Sequence, residues 1–545
     1  MSEIGPENYQ LGTVVSGSLS EGVKVRLSTE YSVENVKVGS NVVIQGKHHR
    51  FFGVVTDVSL GSSDLTLQYD LPDVSDSFMA EVLAGTTVYG TITVEPMLTI
   101  GIDSSSDGFG PMPAKTVPEH FSSTFDASDD DIYHIFGPEG DGHFWIGSPL
   151  DMEAKLCLDI EELVKRSNGV FGKSGTGKTF LTRLLLIGIL QSGKASNLIF
   201  DMHNEYGWQG TSESSTAVKG LKQLFSAQVA VFSLDAESSK RRGFHPDFQV
   251  EFGYSDIDPE DIQLLRETLD LSNVAADAAY ALESRFGRGK WFGEFVKLRG
   301  EDINNLATEI NVASSALSAL RRRLERLIRF DFVSQNDVAD SADSIIKTLR
   351  NGKHVVLEFG KHGNNPTAYM LVANILTRRI YERYQSQKEE SLGGGAEVPP
   401  YLVITIEEAH RFLGSSMASQ TIFGTIAREM RKYNVTLLVV DQRPSDIDEE
   451  VMSQIGTKVV CLLDSGRDID SVLSGVSGNR KLRSVLARLD SRQQAIIFGH
   501  SVPMPVVIRT RDYGSAESYS EFMTTNERTV EGLQNKLEDL YGPSD

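Results

Sequence analysis

Eight consecutive residues constrain this chain more than any others: Gly172-Lys173-Ser174-Gly175-Thr176-Gly177-Lys178-Thr179. They match the P-loop pattern G-x-x-x-x-G-K-[ST] in full. The segment NGVF before them reads as a strand, and TFLTRLLLIGIL after them reads as a helix. A strand, a glycine-rich loop and a helix in that order make a phosphate cradle. The glycines let backbone N–H groups turn inward, and the helix N-terminus adds its dipole. Lys178 is placed to reach β- and γ-phosphates, and the Thr179 hydroxyl to bind Mg²⁺. Residues 172–179, with Phe180, form the expected nucleotide-binding set.

A P-loop needs a sheet behind it. From residue 151 the chain supplies short apolar runs separated by helical stretches: NLIFDM, VAVFSL, HVVLEF, YLVITIE, VTLLVVD, KVVCLL, QAIIFG and PVVIRT. Near-continuous apolar strands imply a sheet buried on both faces, hence mostly parallel. The α/β pattern occupies 151–254 and resumes over 351–515. Between them, 255–350 lacks strand signals and carries helical spacing of apolar residues, so a helical insertion is expected there. Residues 516–545 read as a C-terminal helical tail. Residues 1–110 are different: short β-branched runs at close spacing, punctuated by Gly, Ser and Asn, predict a small barrel or sandwich. Residues 111–150 read as a linker, with the acidic run Asp129–Asp131 a solvated loop.

A second acidic motif narrows the chemistry. The apolar run Tyr401–Ile406 ends in Glu407-Glu408-Ala409-His410. The first carboxylate is placed to hold Mg²⁺, and the second to polarise the attacking water as general base. The run Val435–Asp441 leads into Gln442, which both donates and accepts and so suits a γ-phosphate sensor. Arg428 and Arg431 precede that run. They are either solvated helix charges or fingers reaching a neighbour's phosphate. No Asn-Lys-x-Asp guanine-reading motif is present, which disfavours a GTPase.

With these residues in view, the chain resembles the HerA family of hexameric DNA translocases, within the larger group that includes FtsK. The matching segments are GKSGTGKT at 172–179, FDMHNEYG at 200–207, IEEAHRF at 406–412, REMRKYN at 428–434 and DQRPSDI at 441–447. The resemblance covers roughly residues 8–515. It implies a RecA-like P-loop ATPase domain of the ASCE class, carrying a helical-bundle insertion behind an N-terminal HAS-barrel-like domain. It also implies ATP and Mg²⁺ as cofactors, a homohexameric ring around double-stranded DNA, and a NurA-type nuclease or another effector protein docked on that ring. By motif position, Lys178 and Thr179 bind nucleotide and magnesium, Glu408 is the catalytic carboxylate, Glu407 its metal-side neighbour and Gln442 the sensor. Arg431 is the foremost trans finger and Arg428 the second. Asp201, in a run that also holds His203 and Glu205, supports the magnesium shell. Arg166 is a candidate contact to a neighbour's nucleotide. Two departures stand out: Asn434 replaces a frequent Gly, and Glu407 a frequent Asp.

Charge bears on how DNA could be held. The chain has 53 basic and 75 acidic residues, a net charge of −22. Residues 1–150 hold six basic and 21 acidic ones, so they carry −15 of that total. A wholly basic, DNA-coating protein is excluded, and DNA would be held in a local channel. The run 320–329 has five arginines, with Arg322, Arg326 and Arg329 on one helical face. It reads as a solvated face or a phosphate contact. Two cysteines, Cys157 and Cys461, exclude a Cys-based zinc cluster and are expected as free buried thiols. The chain opens without a secretory signal and has no apolar stretch of membrane-spanning length, so no membrane role and a cytoplasmic location are expected. Repair of DNA ends and antiviral defence both fit such a motor. Two other readings stay open: an ASCE ATPase that moves protein, and an ATP-gated scaffold for an effector.

Overall fold

The computed structural model describes residues 10–64, 78, 82–83, 87–102, 110–140, 142–211, 217–335, 341–415, 418, 422–475, 479–490 and 492–523. The chain divides into two compact units. The first takes residues 1–163, 171–178 and 456–511, and the second takes 164–170, 179–455 and 512–545.

The first unit opens with β1 (Gln10–Ser18), β2 (Gly22–Leu27), β3 (Asn41–Gln45), β4 (His49–Ser62) and β5 (Val88–Gly101). Then come β6 (Met112–Pro113) and β7 (Ser123–Asp126). Their order is β2-β1-β7-β3-β4-β5-β6, and β2 also pairs with β5. Six strands therefore close on themselves, with β6 as an extra strand on β5. Closure leaves those six without a free edge. Alternate side chains point inward and fill the barrel: Leu11, Val14, Val23, Val25, Val42, Ile44, Phe51, Val55, Ile92 and Val94.

The expected linker is corrected here. Residues 111–150 supply β6, β7 and the first strand of the next sheet, and without β7 the barrel stays open between β1 and β3. The acidic run is corrected too. It is the first turn of a helix, Asp129–Phe136, capped by Ser128 in a capping box with Asp131. Acidic side chains suit that end of the helix dipole. Asp131 is buried and pairs with Arg50 at 2.7 Å.

Next come β8 (His143–Pro149) and β9 (Leu156–Asp159); β10 (Asn168–Phe171), the strand that enters the P-loop, lies in the second unit except for Phe171. The second unit adds β11 (Ala195–Asp201), β14 (Val229–Ser233), β15 (Phe248–Gln249), β18 (His354–Glu358), β19 (Tyr401–Glu407) and β20 (Val435–Asp441). Two small ribbons join β12 (Gln209–Thr211) to β13 (Ala217–Lys219) and β16 (Phe252–Gly253) to β17 (Val333–Ser334). The order β15-β14-β18-β11-β19-β20-β10 places one strand, β20, between the P-loop strand and the acid-tipped β19. The neighbours from β15 to β20 run parallel. Their C-terminal tips are therefore aligned: Ser233, Glu358, Asp201 and Glu407 lie along one edge. Such an edge is where an open α/β sheet binds its ligand.

The chain returns to the first unit as β21 (Thr457–Val460), β22 (Gln494–Gly499) and β23 (Val506–Thr510). These pair antiparallel in the order β21-β22-β23-β8-β9. The sheet is expected to be mostly parallel, and these strands are its antiparallel part. Their apolar runs report burial on both faces, and burial does not encode direction.

The insertion is helical as expected, with helices Pro259–Leu264, Asn273–Phe286, Trp291–Lys297, Glu301–Glu309, Ser314–Ile328 and Ser341–Arg350. Trp291, Phe292, Phe295, Leu317, Leu320 and Leu324 pack its centre. On the arginine-rich helix, Arg321 is buried against Glu325 and Arg323 pairs with Asp270. Arg322, Arg326 and Arg329 are exposed. Residues 516–523 are helical, and the remainder of the expected tail lies outside the described residues. Among the described residues no helix is long and apolar enough to cross a membrane.

Candidate active site

The P-loop residues before Thr179 belong to the first unit. Gly175 and Gly177 take φ of +78° and +90°. A Cβ at either would meet nothing within 4 Å. Backbone conformation, not space, therefore calls for glycine at both positions. The loop is tied down at its base: Cys461 N–H donates to the Phe171 carbonyl at 2.8 Å and Lys173 N–H to that of Leu462 at 3.0 Å. Thr176 Oγ1 and Lys178 Nζ each donate to the Lys173 carbonyl at 2.8 Å. Lys173 itself pairs with Asp464 at 2.5 Å. A turn built on positive-φ glycines, an amine over it and a helix, Lys178–Ser192, opening at its end fit a polyphosphate. Ser174 is exposed on the loop, and Thr179 and Phe180 are half-buried on the first helical turn. Both cysteines are buried, free thiols, and burial pushes Cys461 up to about 11.

The second unit holds the acidic tip. Glu407 is 9% exposed. Tyr206 hydroxyl donates to its Oε1 at 2.8 Å, and Tyr369 hydroxyl donates to its backbone carbonyl at 3.0 Å. Burial pushes its carboxyl up to about 8; Asp201, Glu205 and Glu408 add to this, and the Tyr206 hydrogen bond opposes it. Oε2 is buried without a hydrogen-bond partner. A buried oxygen lacking a donor fits a cation, and binding one would release the carboxyl's proton. Among the described residues no three His, Cys, Asp or Glu side chains form a metal cage. Mg²⁺ here would rely on nucleotide phosphates and water for its other ligands.

The Glu407 proton gives a test. A carboxyl held above its ordinary value binds its proton more tightly folded than unfolded. Its contribution to stability is full below about pH 4.5 and is lost as pH rises to about 8. Glu407→Gln has no proton to lose. Its melting temperature relative to wild type should rise between pH 5 and pH 8. A gap that stays constant across that window contradicts the protonated carboxyl.

Asp201, expected beside magnesium, is fully enclosed. Its oxygens accept the backbone N–H groups of Glu205, Tyr206 and Gly207 at 2.8 to 3.1 Å. The carboxylate folds the turn that delivers Tyr206 to Glu407. Arg183, 0% exposed, donates to the Glu205 carbonyl at 2.6 Å. Its guanidinium lies 5.4 to 5.8 Å from the Phe180, Tyr206 and Tyr513 ring centres. Sequence reasoning passed over Tyr206 and Arg183. Tyr206 stood inside the quoted FDMHNEYG run. Arg183 was signalled by its place as a lone charge among apolar residues of a helix. Glu358, at the tip of β18, is also buried; it pairs with Arg242 at 2.5 Å, and burial pushes it up to about 7. His203 is exposed.

Glu408 sits in a different environment, its side chain 25% exposed. Its φ is +50°, a left-handed conformation costly for glutamate. Gln442 Nε2 stands 3.4 Å from Glu408 Oε1, so the structure brings the expected base and sensor together. His410 and Arg411 flank the same carboxylate at 3.8 and 4.0 Å. Arg428 donates to the Ala418 carbonyl at 2.9 Å and faces Glu450 at 3.8 Å. Arg431 is exposed, and its side chain has no partner among the described residues. Asn434 takes φ of +64° and donates to the Pro399 carbonyl at 2.7 Å, so it adopts the conformation a glycine would. Arg166 is half-buried at the entry to β10.

Two family descriptions match: "Helicase HerA, central domain" over residues 144–380 and "HAS barrel domain" over 11–104. A probable helicase of Methanocaldococcus jannaschii is 33% identical over 367 residues, 66% of this chain and 68% of the relative. The DNA double-strand break repair helicase HerA of Pyrococcus furiosus is 24% identical over 77% of this chain and 78% of its own. That of Sulfolobus acidocaldarius is 22% identical over 94% and 96%. Among solved structures, the bacterial conjugative coupling protein TrwB superimposes with a TM-score of 0.48 at 11% identity, over 72% of this chain and 95% of that one.

Proposed function

This chain belongs to the HerA helicase family, and from that premise we propose that it is an ATP-driven motor on double-stranded DNA, working as a homohexameric ring. The observation that carries the chemistry is the pair of unlike carboxylates at the tip of β19, in a chain that also holds a complete P-loop. Glu407 is buried, keeps a proton and has one unpartnered oxygen. Glu408 is open and backbone-strained. Two carboxyl groups in contrasting environments can divide metal and proton duties.

In this reading residues 172–180 hold ATP, with Lys178 on the β- and γ-phosphates, and Thr179 and Glu407 hold Mg²⁺. The bound ion neutralises charge on the phosphate oxygens. Glu408 takes the proton of the attacking water, and Gln442, already beside it, reports on the γ-phosphate. Arg431 reaches a neighbouring subunit's nucleotide, with Arg428 as the second candidate and Arg166 as a further contact. The acidic barrel repels DNA, so duplex runs inside the ring, held by phosphate contacts. That barrel is the docking place for a NurA-type nuclease or another effector, in DNA end repair or antiviral defence.

The deciding experiment is steady-state ATPase with and without duplex DNA, on material whose mass is measured in solution. Duplex should stimulate turnover, and the mass should be that of six chains. DNA affinity should fall with salt at a log–log slope of about −0.9 per phosphate contacted, with little sequence preference. A turnover indifferent to DNA returns the protein-moving ATPase to first place. A monomeric active species ends the ring.

A further inference from the structure

We propose that Asp441 and His410 form a positioning device for the Glu408 carboxylate; this rests on the reading of Glu408 as the base. Asp441 closes β20, and its side chain is fully buried. Its Oδ2 accepts both the His410 backbone N–H at 2.8 Å and the ring Nδ1–H at 2.9 Å. Its Oδ1 accepts the Arg443 N–H at 2.8 Å. One carboxylate thus ties the turn after β19 to the tip of β20.

The consequence falls on the imidazole. With Nδ1 committed as donor to Asp441, Nε2 faces the other way, and 3.8 Å beyond it lies Glu408 Oε2. The charged groups facing the ring are Asp441 from β20, and Glu408 and Arg411 from its own turn. The Asp441 hydrogen bond holds the imidazole above the ordinary histidine range, Asp441 and Glu408 charges add to that, and burial and Arg411 oppose it. In the protonated ring, which this shift favours, Nε2 carries a proton to offer Glu408.

Three donors therefore surround one carboxylate: Gln442 at Oε1, His410 and Arg411 at Oε2. Glu408 already has its backbone fixed at φ of +50°. The remaining freedom is rotation of its side chain, and these donors limit it. Aim matters because a misplacement of about 1 Å in a reacting group can cost roughly 10²-fold in rate. His410 itself touches no reacting atom; it acts through Glu408.

Asparagine and glutamine separate the two ends of the ring. His410→Asn puts an amide near the Nδ1 position and keeps a donor for Asp441. His410→Gln puts one near the Nε2 position and keeps a donor for Glu408. ATP turnover and KM for ATP are measured for both in the full-length chain, with His410→Ala, Glu408→Gln and thermal melts alongside. His410→Ala and His410→Asn should lose roughly 10²-fold in kcat at unchanged KM, and His410→Gln should recover most of that loss. Recovery by Asn and not by Gln overturns the proposal, because His410 then serves only to brace Asp441. If His410→Ala fails to fold, the Asn and Gln pair decides. Wild-type turnover in all three His410 variants, with Glu408→Gln inactive, defeats the positioning role and leaves the base in place. Wild-type turnover in Glu408→Gln removes the base and this device with it.

Discussion

Glu408→Gln should bind ATP as tightly as the wild type does and lose roughly 10²–10⁴-fold in turnover, the range for a missing general base. The substitution keeps side-chain shape and the contact with Gln442 Nε2, and removes only the ability to take a proton. It also separates the two carboxylates at the tip of β19. Glu407 is buried and, in this reading, is taken up by Mg²⁺, so it is a poor base. Glu408 is open enough to meet water. The measurement is nucleotide affinity by fluorescence or calorimetry beside steady-state turnover. A variant that turns over at the wild-type rate takes Glu408 out of the mechanism.

The second large effect concerns the neighbouring subunit. Arg431→Ala should lower turnover about 10³-fold or more, the scale of a lost arginine finger. Arg428→Ala should cost less. The structural basis is the difference in what each side chain does at home. Arg428 is held by the Ala418 carbonyl and faces Glu450, whereas Arg431 projects outward. Mixing Arg431→Ala with Lys178→Ala subunits should restore part of the activity, because some sites then combine an intact P-loop with an intact finger. Full activity of Arg431→Ala alone moves the finger to Arg428. No recovery in the mixture argues against an arginine acting between subunits.

Much of this is legible in the amino-acid sequence. The P-loop announces itself by residue type at fixed spacing, because cradling phosphate leaves little choice of residue. The helical insertion and the barrel were readable as changes of period, from runs of apolar residues to 3.6-residue spacing and to short β-branched segments. Asn434 illustrates a weaker signal. It stands where Gly is frequent, and asparagine tolerates the left-handed backbone found there. The span 111–150 misleads. Gly, Pro and Asp made it look like a linker, but β7 contributes only four residues, Ser-Thr-Phe-Asp, too few to show alternation. Barrel closure, a contact between distant residues, makes them a strand.

The sequence by itself determined the catalytic inventory: a glycine-rich phosphate loop, two carboxylates after an apolar strand, a glutamine after the next, and arginines before it. These are local patterns, set by what the chemistry requires within a few residues. Tertiary structure alone decided which of those groups is charged, enclosed or aimed. Asp201 turned inward to hold a backbone turn, Tyr206 came across 201 residues of chain to Glu407, and Asp441 fixed His410 toward Glu408. Protonation and orientation depend on desolvation and on donors from distant segments, and a one-dimensional order of residues specifies neither until the chain has folded.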